Sequence, residues 1–225
     1  MKLIDLTHTL IEGIPSFDLG CGFKKILNLD YADYPGEVKF RDQHIACFAG
    51  IGTHMDAPSH CIPGAISIAD IPLEQLVRPC VVIDVSKKMH ESYKLSLEDI
   101  QSFEKEYGQI EKNTFVIIRT GWCKYWSEPE KYRNNLNFPS ISAAAAELFI
   151  ERDIAGLGID TLSPDAGGVH YPVHKIILGA GKYIVENIAH AEQLPAIGAK
   201  IFALPLKIAE GAESPIRLIA IINFA

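Results

Sequence analysis

Gly50-Ile-Gly-Thr-His54-Met-Asp56-Ala-Pro58-Ser-His60 puts an imidazole and a carboxylate two positions apart, between a glycine-rich entry and a proline exit. On an extended backbone, side chains two apart leave on the same side. His54 and Asp56 would then stand together, offering a nitrogen and an oxygen to a borderline divalent ion such as Zn²⁺ or Mn²⁺. Gly52 and Pro58 suit a strand that ends in a fixed turn. His60 lies beyond that turn, able to face an ion without binding it. An isolated His-x-Asp is also common in ordinary hydrogen-bonded positions, and one strand cannot supply the three or four ligands an ion needs. The stretch alone leaves both readings open.

Working outward, further donors lie far downstream. Gly158-Ile-Asp-Thr-Leu-Ser-Pro-Asp165 is followed by Tyr171-Pro-Val-His174 and then by Val185-Glu186-Asn187. A helix and a glycine turn between His174 and Glu186 would let the two converge on one ion. By themselves, Glu186 reads as a surface carboxylate and His174 as a helix opener. Asp160 and Asp165 read as turn-forming and helix-capping residues.

Around these segments, β-rich runs alternate with helical ones. Leu3–Leu6, Val81–Val85, Phe115–Arg119, Ile154–Ile159, Lys200–Leu204 and Arg217–Asn223 read as strands. Ser96 with Asp99 forms a capping box that opens a helix running to about Tyr107. A second helix runs from Ser142 to about Arg152, and a third covers His174 to Leu178 and ends at Gly179 and Gly181. Segment 7–48, rich in Gly, Pro and Tyr, reads as loops with one or two strands. Strands alternating with helices imply an α/β class. With no linker or repeat, the expectation is one domain over 1–225.

The chain has 225 residues, 48% of them apolar and 22% charged, which is globular rather than disordered composition. Its net charge of -7, with Lys and Arg scattered, excludes a phosphate-tracking basic face, so no nucleic-acid partner is expected. The amino terminus carries Asp5, His8 and Glu12 where a secretory signal would be apolar, and the longest apolar stretches, Phe115–Ile118 and Leu218–Ile222, are strand-length. No membrane association and a cytoplasmic location are therefore expected. Five cysteines, Cys21, Cys47, Cys61, Cys80 and Cys123, form no CxxC pair and read as buried free thiols. There is no GxSxG, no complete P-loop at Gly179-Ala-Gly-Lys182, and no GxGxxG after a strand.

Taken together, the motifs resemble the cyclase family of metal-dependent hydrolases, which includes bacterial arylformamidases (kynurenine formamidases) and isatin hydrolases. That family's signature reads HxGTHxDxPxH, followed by a GIDxxSxD-like turn, a His and a Glu twelve positions apart, and ALPL and SPxR segments. Here His174 and Glu186 are twelve apart, and Ala203-Leu-Pro-Leu206, Ser214-Pro-Ile-Arg217 and an opening Asp5-Leu-Thr-His8 are present. The resemblance implies a swivelling β/β/α cyclase-like domain with a mixed sheet flanked by helices, assembled as a homo-oligomer, dimer or tetramer. It implies metal ligands at His54, Asp56, His174 and Glu186, and a catalytic acid/base at His60.

One position departs from the family: Gly50 stands where the signature has its first His. In dinuclear members that His serves one of two metal subsites. Its loss implies one ion rather than two, Zn²⁺ first and Mn²⁺ as the alternative, or else a replacement ligand. His44 and Cys47 lie upstream as candidates, with His44 favoured by strand parity over Cys47, although both read more simply as ordinary strand residues. The functional expectation is hydrolysis of a small-molecule amide, lactam or ester by metal-activated water, His60 moving the proton. The alternative is an inactive family member that binds small molecules or acts as a scaffold. Phe17, Phe23, Trp122, Tyr125 and Trp126 are candidates to line the pocket, and so is the segment Phe17-Asp-Leu-Gly-Cys-Gly-Phe23.

Overall fold

The computed structural model describes residues 1–18 and 22–223. Cys21, and the middle of the Phe17–Phe23 segment with it, lie outside the described residues. In chain order the elements are β1 (Lys2–Asp5), β2 (Lys24–Leu29), β3 (Asp42–Ala46), β4 (His54–Asp56), α1 (Leu73–Leu76), β5 (Val77–Asp84) and β6 (Lys94–Leu95). They continue with α2 (Leu97–Tyr107), β7 (Phe115–Arg119), α3 (Pro129–Arg133), β8 (Ser140–Ile141), α4 (Ala143–Glu151) and β9 (Gly156–Ile159). The last are α5 (Pro172–Gly179), β10 (Tyr183–Glu186), β11 (Ala199–Pro205) and β12 (Glu213–Ile222).

Eight strands form one mixed sheet in the order β1-β12-β11-β5-β7-β9-β10-β4. The run β5-β7-β9-β10 is parallel and the remaining pairings are antiparallel. β12 is long enough to pair with β1 and β11 along most of its length and with β4 through Glu213–Pro215. That last pairing brings one edge of the sheet back to the other and closes a barrel-like core.

The parallel strands read as continuous apolar runs because both faces are covered. Phe115 and Ile117 point into the barrel with Val82, Ile201, Ala203 and Leu218. Val116 and Ile118, one residue out of phase, pack outward against Ile100 and Phe103 of α2 and Phe149 of α4. The capping box expected at the start of α2 is present: the Ser96 hydroxyl accepts from Asp99 N–H and Asp99 accepts from Ser96 N–H. Asp99 also receives Lys88 and the Tyr93 hydroxyl. The Ser142 hydroxyl caps α4 by accepting from Ala145 N–H.

Segment 7–48 holds two strands, β2 and β3, paired as an antiparallel hairpin outside the main sheet. The expectation of buried thiols is corrected: of the four described cysteines only Cys80 is buried, Cys123 is intermediate, and Cys47 and Cys61 are exposed. All four are free. No described helix is long and apolar enough to cross a membrane.

Candidate metal centre

β4 is three residues long and is held on both sides. Its register with β10 sets Glu186 opposite His54, and its register with β12 sets Glu213 opposite Asp56. Because side chains alternate along a strand, Met55 turns into the apolar core while His54 and Asp56 turn together toward a cleft. Facing residues of neighbouring antiparallel strands share a face, so four chemically active side chains meet there by pairing alone.

His174 arrives from the first turn of α5. Asp165, in the loop after β9, accepts from the backbone N–H groups of Val173 and His174 at 3.0 Å each, capping that helix. The same carboxylate accepts from His174 Nδ1 at 2.8 Å. The ring is thereby fixed with Nε2 facing Asp56 Oδ2 at 3.6 Å and Glu186 Oε1 at 3.5 Å. His54 is oriented by a parallel device: its Nδ1 donates to the Gly52 carbonyl at 2.9 Å. Its Nε2 then lies 3.5 Å from Asp56 Oδ1 and 3.3 Å from Glu186 Oε2. Gly52 sits at φ +63°, and a Cβ there would approach Leu10 Cδ2 to 2.5 Å, so only glycine presents this carbonyl without strain.

The residues His54, Asp56, His174 and Glu186 are each at most 6% exposed. Among the described residues neither Asp56 oxygen accepts a hydrogen bond. A carboxylate buried without partners is costly, and here it faces two imidazole nitrogens and a second carboxylate. Burial alone would lower the His54 imidazole, but the Glu186 and Asp56 carboxylates outweigh it and raise the group to about 10. Burial opposes charge on His174 too, and Asp165, Asp56 and Glu186 carry it well above the usual imidazole range. The cluster demands positive charge. Donors sharing one ion with bonds of ~2.0–2.1 Å stand roughly 3.4 Å apart, and each imidazole nitrogen lies 3.3–3.6 Å from one oxygen of Asp56 and one of Glu186. The residues fit a divalent cation.

Asn187 and Tyr132 brace the centre, and neither was singled out from sequence. Asn187 donates to the Gly52 carbonyl at 2.9 Å and accepts from the Tyr132 hydroxyl at 2.9 Å. Thr53 donates to the Asn187 carbonyl at 2.7 Å and accepts from His8 N–H at 3.0 Å. The terminal motifs are tied to each other: Arg217 makes two bonds to the Asp5 carboxylate, at 3.0 and 2.7 Å. Asp160 is a turn residue, accepting from Thr120 and Gly121 at the end of β7.

His60 ends the short turn Pro58–His60 and lines the cleft, a third exposed, its ring 6.0 Å from that of His174. Its Nδ1 is 3.6 Å from Glu213 Oε2. Glu213 is the residue sequence reasoning missed. A Cβ at Gly50 would fall 2.1 Å from Glu213 Oε1 and 3.4 Å from His54 Nε2. The space of the absent side chain is thus filled from β12. His44 and Cys47 are not brought to the site: both are exposed, His44 paired with Ile26 in the β2–β3 hairpin.

The cleft encloses about 310 Å³, at the small end for ligand pockets of ~300–1,000 Å³. Phe17, Phe48, Leu162 and Tyr171 supply its apolar wall. Of the five aromatics named as candidates for the pocket or the core, Phe17 alone lines it. Phe23 packs against Ile14 and Ile51, Trp122 and Tyr125 join the Tyr132 cluster, and Trp126 stacks on His8.

A mixed barrel-like sheet flanked by helices, with histidine and carboxylate donors gathered on its closing strand, defines a cyclase-type fold. The Cyclase family matches the chain over residues 4–166, and the protein belongs to that family. Isatin hydrolase from Roseibium aggregatum is 31% identical over 186 residues, covering 76% of this chain and 71% of the relative. Kynurenine formamidase from Paracidovorax citrulli is 25% identical over 170 residues, covering 75% and 74%. Isatin hydrolase A from Labrenzia aggregata superposes with a TM-score of 0.91 at 36% identity, over 99% of this chain and 94% of that one. The homologues are hydrolases.

Proposed function

We propose that the protein is a metal-dependent hydrolase of a small amide, lactam or ester. The observation that carries this reading is the buried Asp56 carboxylate, which has no hydrogen-bond partner among the described residues and faces His54 through Oδ1 and His174 through Oδ2. Those four residues would hold the ion, Zn²⁺ or Mn²⁺. A bound divalent ion supplies an activated water and polarises a carbonyl, the chemistry such bonds require. Asp165 and the Gly52 carbonyl keep the two imidazoles turned toward the ion. The apolar wall would hold the body of the substrate and thin the water around its carbonyl. His60, at the mouth of the cleft, would take a proton from the attacking water and return it to the leaving nitrogen or oxygen. Names of relatives support C–N bond hydrolysis; a panel of formamides, lactams, lactones and imides would identify the substrate.

His60→Ala should lower turnover by on the order of 10²–10⁴-fold with metal content unchanged. His54→Ala and Asp56→Ala should lose metal as well. Full turnover in His60→Ala would remove the role given to it. The alternative of an inactive binding or scaffolding protein rested on Gly50, and the Glu213 carboxylate now occupies that gap. Ion-free protein after purification without chelators would favour it.

A homo-oligomer remains part of this reading. Ile26, Leu27, Ile45 and Phe48 are exposed on and beside the β2–β3 hairpin, an apolar surface of the kind subunits cover. Light scattering of the eluting protein tests it, and a monomer at micromolar concentration would count against it. Free thiols support a reducing, cytoplasmic compartment, which cell fractionation checks.

A further inference from the structure

We infer that the barrel mouth at the carboxyl ends of β5 and β7 is a second ligand pocket, which takes a small organic carboxylate on the Nε–Nη2 edge of the Arg119 guanidinium. The pocket is separate from the metal centre and needs no ion. Strand phase places it. Phe115 and Ile117 point into the barrel, so Arg119, the last residue of β7, continues that phase at the mouth. Asp84, paired with it at the end of β5, does the same beyond Val82. His54 and Asp56 turn the other way, into the cleft, on either side of the inward-facing Met55. An open pocket of about 410 Å³ lies at the mouth, bounded by Arg119, His8, Met89, Lys124, His190 and Glu192 among others. The carboxyl ends of parallel strands are the customary ligand end of α/β sheets.

Arg119 names the occupant. Its Nη1 is held by Asp84 and by Ser86 Oγ. Its Nε is buried, and neither Nε nor Nη2 has a hydrogen-bond partner among the described residues. The chain itself shows what this edge grips. Arg152 holds Glu104 through Nε and Nη2 at 2.7 and 2.9 Å, and Arg217 holds Asp5 in the same way at 3.0 and 2.7 Å. Two parallel N–H groups match the two oxygens of a carboxylate. A buried donor left unpaired costs stability, and an incoming carboxylate relieves that cost.

The rest of the pocket agrees. Lys124 adds a second positive charge with no carboxylate partner among the described residues, its Nζ resting 4.8 Å from the centre of the Tyr125 ring. Glu192, the acid at the rim, stands 3.6 Å from His190 Nδ1. Nε2 of His8 is a further buried atom without a hydrogen-bond partner among the described residues, and Met89 offers apolar contact to the body of a ligand. Hydrolysis of an amide, lactam or ester releases a carboxylate, so on the metal-hydrolase reading the product itself belongs to the class this pocket takes. His8 also donates its N–H to Thr53, the residue before His54, which ties the pocket wall to the metal strand.

The test is calorimetric titration with benzoate of ion-loaded and of chelator-treated protein. Both should show a benzoate site that Arg119→Lys, which keeps a charge for Asp84 but loses the fork, weakens by about tenfold or more. Lys124→Gln should weaken it by a smaller factor, and inorganic phosphate should bind more weakly than benzoate. In wild type the Arg119 Nε–H proton resonance should move downfield as benzoate is added, a readout that decides the matter even where Arg119→Lys fails to fold by circular dichroism. No benzoate site, a site found only in ion-loaded protein, unchanged affinity in Arg119→Lys, an unmoved Nε–H resonance or a preference for phosphate each overturns the inference and leaves the hydrolase standing. A protein that takes benzoate on Arg119 yet never holds an ion keeps the pocket and loses the hydrolase.

Discussion

Asp165→Asn is the sharpest probe of how the centre is built. One Asp165 oxygen accepts from Val173 N–H at 3.0 Å, and the other from both His174 N–H and His174 Nδ1–H, at 3.0 and 2.8 Å. An asparagine of the same shape offers one oxygen and one NH₂. With the oxygen toward His174, the NH₂ confronts Val173 N–H; turned the other way, it confronts two donors. In either orientation a buried donor is left unpaired, at about 1–3 kcal/mol. Removing a carboxylate that orients a ligating imidazole costs about 10–100-fold in metal affinity, which is about 1.4–2.7 kcal/mol at 1.36 per decade. The two figures agree. The assay is competition with a chromogenic chelator for Zn²⁺ or Mn²⁺, beside thermal melts in chelator. Asp165→Asn should bind 10–100-fold more weakly and, for a 2 kcal/mol loss, melt roughly 4–8 °C lower in a chain of this size. Wild-type metal affinity in a variant that melts lower would separate capping from ligand orientation, and the account of His174 would fail.

Three further outcomes follow from the same contacts. His8, stacked on Trp126 at 3.9 Å with Nε2 buried and without a hydrogen-bond partner among the described residues, is held down to about 4 by burial and by His190. The unfolded chain takes up this proton between pH ~6.5 and ~4 while the folded one does not, so stability falls with pH across that window. The full shift equals about 3 kcal/mol, reduced to about 2 by partial exposure; in urea melts at pH 7 and pH 4.5, His8→Phe should lose less stability than wild type, and parallel losses would refute this. Tyr132→Phe strips the donor from Asn187 Oδ1 and should cost about 1–2 kcal/mol, a cost that a melt unchanged from wild type would exclude. Arg217→Ala removes a doubly bonded but exposed pair with Asp5 and should cost no more than about 1 kcal/mol, so a loss above 2 in denaturant unfolding would contradict it.

Local rules carried much of the fold. α2 was legible because its cap is written within four residues, Ser96 through Asp99, and β7 because Phe115–Arg119 is buried on both faces. His54, Asp56, His174 and Glu186 were implied as ligands by the resemblance to the cyclase family, and the structure brings them together. Glu213 was not legible, and the reason is specific. β12 was expected to begin at Arg217; it begins at Glu213 and runs through Pro215, a residue strands admit only at edges, starts or bulges. Ile216 N–H bonds to the carbonyl of Thr53, just before β4, so the nitrogen of Pro215 faces the opposite side, where pairing with β11 ends at Pro205↔Ile216. A proline costs nothing where no partner waits. Extending the strand through it places Glu213 opposite Asp56, and that register is tertiary information. Cys47 and Cys61 were misjudged for the converse reason: a thiol reads as a core residue on average, and the hairpin and turn that carry these two lie outside the barrel.

The sheet becomes a closed ring through three residues, two of which are ionisable. β4 contributes few backbone bonds to either neighbour, so cohesion of this joint falls to His54, Asp56 and the carboxylates that face them from β10 and β12. Stripped of cation, the joint crowds the Asp56, Glu186 and Glu213 carboxylates against two imidazoles with no ion between them; loaded, it is riveted. Amide exchange at Met55, Val185 and Ser214 should therefore track metal occupancy long before the rest of the barrel loosens, making the seam a built-in gauge of whether the protein is ready to work.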